Sequence, residues 1–458
     1  MDDFRYKVIT DPVHGSIGLS KIEARVIDTP TFQRLRRLKQ LGLAHLVYPS
    51  AGHSRFAHSL GVFHVMGRAI DTLIHKGHLQ ETEKQKLRLA GLLHDVGHYP
   101  YSHLTEKLDT DPLRPRWLKK VPSKDPRRDR YPDHETLGRL IVTQRDDIRT
   151  ALEPDFGAEE IVEIADIFCG QHHRPIYNGL VHSSLDLDRM DYLVRDAIAT
   201  GVPLGRIDLE YLLSHLNADR EGMLGLERKA ATAAEHFMLA RYFMSKVVYL
   251  HKTVFAFESL MRQILFLLRE EGKLWMDGAA VKNAVRNDEE FSRFHDGHID
   301  ELIDAQAGRP DSVGWLCRAL RLRHPPVLLE EFRVLRRRDD NAPEEMTRFR
   351  TRLSDQLPEL AKAVGIPIEC FLWENPKDVS LERVGPFVGI TAAQTAEETD
   401  ELLRVVREDG TSEPLIADPD SLVHHLSEFR LHTTRLYVVE RDEAKLAAVR
   451  ARVREWSA

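Results

Sequence analysis

Apolar residues recur at helical spacing from about residue 17 to residue 275, and this periodicity constrains the fold more than any other feature of the chain. An apolar stripe along one face is typical of an amphipathic helix that packs against a core. The pattern is clearest in four segments: His58–Leu73, Lys84–Leu93, Leu185–Ala199 and Ala231–Leu268. The last segment is a long, nearly continuous helical pattern. The sequence therefore predicts a mainly α core.

The chain becomes more polar beyond about residue 275, and His324-Pro325-Pro326 predicts a break. Strand-like runs follow, and the last of them leads into a helical segment: Ile366–Trp373, Pro386–Ile390, Leu436–Val439 and then the helix Glu443–Trp456. We therefore expect three regions. These are a helical core over residues 1–275, a helical connecting region over residues 276–345, and a smaller α+β appendage over residues 346–458.

The composition excludes several classes of protein. The 458-residue chain has a formal net charge of −7, so any affinity for phosphates must come from local clusters of Arg and Lys. Its three cysteines are far apart and form no CxxC pair, which argues against a disulfide framework. No apolar run approaches the roughly 20 residues of a membrane span, and Met1–Asp11 lacks the apolar stretch of a signal peptide. We expect a cytoplasmic protein without a membrane partner.

A candidate metal centre is indicated by His94-Asp95, which ends an apolar helical pattern just before Gly97. Imidazole and carboxylate are the ligands that divalent first-row metals prefer. His58 lies at a predicted helix start, and Asp188 lies on a helix where Tyr192 and Asp196 follow at intervals of four residues. A buried polar stripe of this kind is costly unless it is paired or metal-bound. Each residue taken alone fits an ordinary surface or core role, whereas the ordered set predicts a metal site.

The order His58, His94-Asp95, Asp188 resembles the H…HD…D signature of HD-domain phosphohydrolases. The flanking sequences are similar to the branch that hydrolyses deoxynucleoside triphosphates, which includes the dGTPases and the sterile-alpha-motif/HD enzymes. The resemblance covers roughly residues 5 to 270 and is carried by these segments: Asp11–Gly15, Ile27–Arg36, Lys39–Gly42, Ser54–Val62 and Asp188–Tyr192. It implies an HD-domain helical core and hydrolysis at the α-phosphorus, giving a deoxynucleoside and inorganic triphosphate.

The resemblance also implies the catalytic groups. His58, His94, Asp95 and Asp188 would hold a divalent ion, for which Fe, Mn, Mg, Ni and Zn are all compatible with the ligand set. A general acid is needed for the departing 5′ oxygen, and the candidates are His98, His103 and His134. We favour His103 oriented by Glu106, three residues away, with His134 and Glu135 as an accessory pair.

Substrate contacts follow from the same resemblance. Arg55, Arg189 and Arg241 match positions that contact the triphosphate, and Tyr192 adds a hydroxyl donor. Gln40 and Asp196 match residues that contact the 3′-hydroxyl. Leu41 and Tyr249 match the pair that packs where a ribose 2′-hydroxyl would stand, which predicts a preference for deoxyribose.

A nucleotide effector site is a further expectation. Lys7, Asp28, Gln33 and Arg36 resemble the guanine-reading part of the effector site in activated relatives, although the segment after Asp208 lacks the expected cation. Asp28, Gln33 and Arg36 could instead be structural, capping and pairing within the first helix. Effector sites of this kind lie between subunits, so a homo-oligomer, either a dimer or a tetramer, is expected with them.

Two alternatives remain open. HD proteins also hydrolyse nucleoside monophosphates, cyclic dinucleotides and alarmones, and the metal motif alone does not separate these substrates. A nucleotide-sensing or single-stranded nucleic-acid-binding role is suggested by a basic insertion over residues 109–132, in which five prolines exclude a long helix, and by the run Arg333–Arg338. A charge run is usually a solvated face, and Asp339 and Asp340 directly follow the second run.

Overall fold

The computed structural model describes residues 6–109, 130–337, 340, 344–374 and 402–457. Most of the predicted basic insertion (residues 110–129) and the predicted strand Pro386–Ile390 lie outside the described residues. The fold is mainly α, with a helical core and a smaller α+β part, as predicted from the sequence. Among the described residues, no helix combines the length and the apolar composition that a bilayer crossing requires.

The core begins with a hairpin of β1 (Lys7–Asp11) and β2 (Gly15–Leu19). The helices that follow, in chain order, are α1 Lys21–Ile27, α2 Pro30–Gln33, α3 Arg55–His75, α4 Lys84–Leu93, α5 His103–Glu106, α6 His134–Gln144, α7 Asp146–Leu152, α8 Ala158–Phe168, α9 Pro175–Val181, α10 Leu187–Thr200 and α11 Leu209–Ser214. Strands β3 (Leu216–Ala218) and β4 (Leu224–Glu227) then precede α12 (Ala231–Met244) and α13 (Lys252–Glu270).

Helix α3 is the central element of the core and packs against α4 and α10. Its predicted stripe is confirmed, since Phe63, Met66, Ile70 and Leu73 are all completely buried. The helix starts at Arg55 because the Ser54 hydroxyl accepts a hydrogen bond from the Ala57 amide. Burial of these large side chains contributes about 1.5–3 kcal/mol each, so the stripe fixes which face of α3 meets the core.

The nearly continuous helical pattern over Ala231–Leu268 forms two helices, because the chain is interrupted within it. Helix α12 ends at Met244, a wider π turn covers Ser245–Tyr249, and α13 starts only at Lys252. The Leu250 amide donates to the Ser245 carbonyl, five residues back, at 2.8 Å. His251 is extended, with ψ 127°, and its ring accepts a hydrogen bond from the Thr253 amide. Apolar spacing continues across this break, so periodicity could not reveal it.

The region predicted to be a helical connection contains four helices among its described residues and then an 11-residue strand. The helices are α14 Gly278–Arg286, α15 Asp288–Ser292, α16 Asp296–Gln306 and α17 Ser312–Arg321, and β5 covers Val327–Arg337. The strand starts immediately after Pro325-Pro326, where a helix cannot continue. The predicted boundary at residue 345 therefore falls between β5 and the elements with which it pairs.

The C-terminal part adds strands to two sheets. Its elements are α18 Glu344–Val364, β6 Phe371–Glu374, β7 Arg404–Val406, β8 Ser412–Pro414, a helix Leu422–Ser427, β9 Phe429–Val438 and a final helix Glu443–Ser457. In one sheet, β9 lies between β5 and β6 and is antiparallel to both. In the other, β7 runs parallel to β4 of the core, in the order β3-β4-β7-β8. The appendage is thus joined to the core by main-chain pairing.

Candidate metal centre and active site

Three helix ends bring the four predicted metal ligands together. His58 lies in the first turn of α3, His94 and Asp95 directly follow α4, and Asp188 lies in the first turn of α10. His58 Nε2 is 2.8 Å from Asp188 Oδ1 and 3.8 Å from Asp95 Oδ2, and His94 Nε2 is 3.3 Å from Asp95 Oδ1. The side chains therefore converge on one small volume.

The donor set fits a divalent cation. The Nε2 atoms of His58 and His94 are buried and point into this volume. Neither atom has a well-aligned hydrogen-bond partner among the described residues. Their other ring nitrogens are already occupied, since His58 Nδ1 lies 2.8 Å from Asp191 Oδ2 and His94 Nδ1 lies 2.9 Å from the Gly91 carbonyl. When Nδ1 carries the proton, Nε2 presents its lone pair, which is the tautomer that a metal ligand needs.

The electrostatics of the centre favour positive charge. Burial alone would lower the pKa of His58, but the carboxylates of Asp188 and Asp191 raise it to about 10. Burial alone would raise the pKa of Asp95, but Arg55, His94 and His98 hold it well below its usual range. Arg55 donates to Asp95 Oδ2 at 2.6 Å, and His98 Nε2 lies 3.0 Å from Asp95 Oδ1. Asp95 is therefore an anion in this site.

A second layer of charged groups supports His58, and sequence reasoning assigned it no role. Asp191 is completely buried and accepts hydrogen bonds from His58, from Arg195 at 2.8 Å and from His14 at 2.5 Å. Arg195 also donates to Asp11 at 2.9 Å. These partners hold the pKa of Asp191 well below its usual range against the effect of burial. The signal was present in the Asp11–Gly15 motif, but the motif alone does not show what its side chains touch.

A cluster of histidines lies beside the metal centre. His103 Nδ1 is 2.6 Å from Glu106 Oε2, and His134 Nδ1 is 3.3 Å from Glu106 Oε1. The ring of His98 stacks on that of His134 with centroids 4.2 Å apart and lies 5.3 Å from that of His103. The structure thus brings together the predicted pair of His103 and Glu106.

The predicted pair of His134 and Glu135 is not formed. Glu135 Oε1 lies 3.8 Å from His182 Nδ1 instead, while His134 shares the carboxylate of Glu106. His134 is the first residue of α6, and its neighbour in sequence points elsewhere. Glu106 and His134 are 28 residues apart, so local spacing gave no signal for their contact.

The titration of the cluster follows from these contacts. Burial opposes ionisation of Glu106, but His103 and His134 bring its pKa below the usual range. Burial lowers the pKa of His103, whereas for His134 the effect of burial is outweighed by Glu106 and the pKa is raised. Burial and nearby Arg55 hold the pKa of His98 well below its usual range. His98 is therefore neutral, and of the three rings only His134 has a raised pKa.

Three of the four predicted sugar-side residues, Gln40, Asp196 and Tyr249, are linked through His53, which sequence reasoning missed. Asp196 accepts a hydrogen bond from the Tyr249 hydroxyl at 2.8 Å, and His53 Nε2 lies 2.9 Å from its other oxygen. The Gln40 amide donates to the His53 carbonyl at 2.9 Å, and the adjacent Leu41 is partly buried. The Gln40 side-chain oxygen is buried and lacks a partner among the described residues, so it is available to a ligand.

The remaining predicted phosphate contacts lie around α10 and α12. The ring of Tyr192 is 6.2 Å from that of Tyr249, and burial raises the pKa of Tyr192 to about 12. Arg241 is buried on α12 and is close enough to Tyr192 to oppose that rise. Arg189 Nη1 lies 3.2 Å from Asp186 Oδ2 and also donates to the Ser183 carbonyl. The tyrosines are therefore neutral hydroxyl donors.

The predicted effector residues lie near the surface around β1, α1 and α2. Lys7 Nζ is 3.3 Å from Asp28 Oδ2, and both residues line an open concavity of about 1010 Å³. Gln33 donates to the Ile27 carbonyl at 2.8 Å, and Arg36 donates to the Gln33 side chain at 2.7 Å. These local contacts agree with the alternative interpretation, in which the residues cap and pair within the first helix. An effector role for the four residues stays a prediction.

Comparison with known proteins agrees with this geometry. Residues 55–196 match the family model of the HD domain, a segment that includes all four candidate ligands. The chain therefore carries an HD domain, and the resemblance inferred from its sequence is confirmed.

Three relatives are similar to parts of the chain. The chain is 33% identical over 265 residues to the uncharacterized protein YwfO of Bacillus subtilis, covering 57% of this chain and 55% of that protein. It is 32% identical over 259 residues to a Dictyostelium discoideum homolog of the deoxynucleoside triphosphate triphosphohydrolase SAMHD1, covering 54% and 46%. Human SAMHD1 is 50% identical over 101 residues, covering 21% and 16%. The chain spans about half the length of the first two of these relatives.

Solved structures extend the similarity to nearly the whole chain. A phosphohydrolase from Bacteroides thetaiotaomicron superposes with a TM-score of 0.69 at 25% identity, covering 95% of this chain and all of that one. A hypothetical protein from Aquifex aeolicus superposes with a TM-score of 0.70 at 26% identity, covering 97% and 99%. The superposition therefore extends beyond the matched HD segment to the C-terminal elements.

Proposed function

We propose that this chain is a metal-dependent phosphohydrolase that converts deoxynucleoside triphosphates into deoxynucleosides and inorganic triphosphate. The observation that carries the proposal is the pair of buried Nε2 atoms of His58 and His94, which lack a well-aligned hydrogen-bond partner among the described residues and face Asp95 and Asp188 beside an oriented His103. The similarity to proteins named deoxynucleoside triphosphate triphosphohydrolases supports the choice of substrate.

His58, His94, Asp95 and Asp188 would hold the divalent ion, with Fe, Mn, Mg, Ni and Zn all compatible. When bound, such an ion supplies positive charge that polarises a phosphate oxygen or activates water. The chain contributes the orientation of the ligands. Asp191 fixes the ring of His58, and the Gly91 carbonyl fixes the ring of His94. Such outer contacts set the tautomer of a ligating histidine and increase its basicity.

His103 would act as the general acid for the departing 5′ oxygen. Glu106 remains a carboxylate and accepts a hydrogen bond from the Nδ1–H of His103. When Nε2 is also protonated, its proton is left for the leaving group. Glu106 also contacts His134, whose raised pKa keeps a second proton nearby to higher pH. His98 is unsuited to this role because its Nε2 faces Asp95 and is not left for the leaving group.

Recognition of the nucleotide would fall to the groups on α10, on α12 and beside His53. Arg55, Arg189 and Arg241 supply positive charge for the triphosphate. Gln40 and Asp196 supply acceptors for a 3′-hydroxyl, and Leu41 with Tyr249 forms the wall where a 2′-hydroxyl would stand. A wall that offers no free partner penalises an added hydroxyl, so deoxyribose is favoured. A nucleotide effector near Lys7 and Asp28, and a homo-oligomer, belong to the same proposal.

The proposal is tested by incubating the metal-loaded protein with each dNTP and each NTP and separating the products. We expect inorganic triphosphate and a deoxynucleoside from dNTPs, with far less turnover of NTPs. Pyrophosphate, monophosphate or orthophosphate products, or no turnover with any of the five metals, would contradict the proposal. Turnover of a monophosphate, a cyclic dinucleotide or an alarmone instead would assign the site to another HD reaction.

Two variants separate the proposed roles in the same assay. Asp188→Ala is expected to lose both bound metal and turnover, because one ligand of the ion is removed. His103→Ala is expected to retain its metal and to lose turnover by roughly 100- to 10,000-fold, the range of general acid catalysis. Metal content is measured by elemental analysis of the purified proteins. Full activity of His103→Ala would remove that residue from the proposed mechanism.

A further inference from the structure

One carboxylate from outside the matched HD segment joins two loops of the candidate active site. Asp296 is the first residue of α16 and is almost completely buried. Its Oδ1 accepts a hydrogen bond from the Tyr101 amide at 2.7 Å, and its Oδ2 accepts one from the Lys39 amide at 2.9 Å. Both oxygens are thus committed to backbone donors in segments that are far apart in sequence.

The first of these loops carries the proposed general acid. Tyr101 and Ser102 have positive φ values of 55° and 51°, a conformation that non-glycine residues hold only where surrounding contacts impose it. Helix α5 follows immediately and presents His103 and Glu106. The Ser102 hydroxyl also accepts a hydrogen bond from Arg55 at 2.9 Å. The contact with Asp296 therefore holds the strained backbone from which His103 projects.

The second loop carries a proposed sugar contact. Lys39 precedes Gln40, whose amide is bonded to His53, and His53 in turn contacts Asp196. A shift of the Lys39 amide would move the Gln40 side chain relative to Asp196. The Asp296 side chain on α16 thus connects the loop that carries His103 with the loop that carries Gln40.

Neighbouring contacts show that the attachment is built from several bonds. The Tyr101 hydroxyl donates to Asp300, one turn further along α16, at 2.5 Å. Arg34 donates to the His98 carbonyl at 3.0 Å and to the Phe294 carbonyl at 2.8 Å, which ties the same catalytic loop to the segment just before α16. The loop that precedes α5 is therefore bonded to α16 through both the backbone amide and the side chain of Tyr101.

We infer that Asp296, supported by Asp300, is a positioning residue: it holds the backbones of Tyr101 and Lys39 so that His103 and Gln40 meet one nucleotide. This inference rests on the proposed function. Asp296 touches neither the metal ligands nor the reacting atoms, and α16 lies outside residues 55–196 that match the HD domain. An HD segment without this support would keep its ligands but not the spacing of its substrate groups.

The direct test is Asp296→Asn, with Asp304→Asn as the matched control. The amide keeps one acceptor oxygen but turns an NH₂ group toward the other backbone donor, so one of the two loops loses its anchor. Asp304 lies on the same helix, is exposed and pairs with Arg321 at 3.3 Å. We expect kcat per bound metal to fall roughly 10- to 100-fold in Asp296→Asn, the size expected for a misplaced catalytic group. Metal content should equal that of the wild type, and Asp304→Asn should behave like the wild type.

A merely structural role is separated by the ratio of kcat/KM for a dNTP to that for the matching NTP. This ratio does not depend on the fraction of folded protein, so a general loss of stability leaves it unchanged. We expect it to decrease in Asp296→Asn because Gln40 is displaced. An unchanged ratio would leave Asp296 a merely structural role and overturn the inference, whether or not kcat per metal falls.

A second variant covers the case in which Asp296→Asn does not yield folded protein. Tyr101→Phe removes only the bond to Asp300 and leaves the backbone contact, and we expect a roughly 3- to 10-fold lower kcat per metal from a looser loop. Wild-type turnover in that variant would then overturn the inference. If the wild type itself turns over no dNTP, the proposed function fails. If the wild type is active and both variants match it, only the positioning role fails.

Discussion

At the scale of single residues, the candidate site is defined by the side-chain atoms that internal hydrogen bonds do not use. His58 and His94 each use Nδ1 for an internal contact and keep a buried Nε2 without a well-aligned partner among the described residues. Asp191 uses its two oxygens for three partners: His58, His14 and Arg195. Each of these buried charged groups therefore has a hydrogen-bonding partner, as a low-dielectric interior requires.

Gly61 is required by this pairing. A Cβ added there would lie 1.9 Å from Asp191 Oδ1 and 2.4 Å from Arg195 Nη2. We expect Gly61→Ala to lower the free energy of unfolding by about 1–3 kcal/mol through overpacking and to reduce metal content, because Asp191 must move away from His58. Urea unfolding and elemental analysis measure both. Gly52→Ala is the control, since an added Cβ meets nothing within 4 Å there, and a Gly61→Ala protein equal to it would contradict the prediction.

The pH dependence of turnover is expected to reside in His103, Glu106 and His134. Glu106 raises the pKa of His134, so the proton on His134 is held to higher pH than usual and is lost as pH rises through the raised value. Glu106→Gln removes that carboxylate, and the alkaline limb of kcat/KM should then move to lower pH. Profiles of both proteins measured at saturating metal test this. An alkaline limb at the same pH in both would show that Glu106 does not control the proton.

At the scale of elements, the ends of helices decide the site more than their lengths. The four candidate ligands come from the start of α3, the end of α4 and the start of α10. Gly97 was expected only as a stop signal, but an added Cβ there would meet the His134 carbonyl at 1.9 Å. Because Gly97 has no side chain, α6 approaches closely enough for His134 to stack on His98.

The start of α10 is fixed by Asp186, which accepts a hydrogen bond from the Arg189 amide at 2.8 Å. Asp186→Ala should lower the free energy of unfolding by about 1 kcal/mol, the usual contribution of such a cap, and weaken metal binding through the adjacent Asp188. Asp186→Asn can still cap the helix and should lose less stability. Urea unfolding and metal titration of the two variants test the prediction. Equal losses in both would assign the effect to the charge of Asp186 and not to capping.

At the scale of the whole molecule, the C-terminal sheet braces the helix break that presents Tyr249. From β9, Arg435 donates to the Leu250 carbonyl at 3.0 Å, and the Tyr437 hydroxyl donates to the Lys252 carbonyl at 3.0 Å. Both carbonyls flank the turn between the π segment and α13. The domain boundaries predicted from the sequence place β9 and this turn in different regions, yet the bonds join them directly.

Arg435→Ala is therefore expected to affect both stability and substrate binding. Its guanidinium also donates to Glu331 at 2.7 Å, and loss of charge-assisted hydrogen bonds costs about 1.5–3 kcal/mol each. We expect lower stability in urea and a raised KM for dNTPs, because Tyr249 is less firmly held. Arg441→Ala, at an exposed position just after β9, is the control. A stability loss without any change in KM would confine Arg435 to a structural role.

The sequence by itself determined the mainly α fold, the amphipathic face of α3 and the resemblance to HD phosphohydrolases, because apolar periodicity and short motifs are local properties of the chain. It also named His58, His94, Asp95 and Asp188 as a set. Only the tertiary structure decided that Glu106 serves His134, that His53 links Gln40 to Asp196, and that α12 stops before Tyr249. Those contacts join residues that are distant along the chain or depend on backbone turns. Side-chain spacing does not encode them, because they form only when separate helix ends pack together.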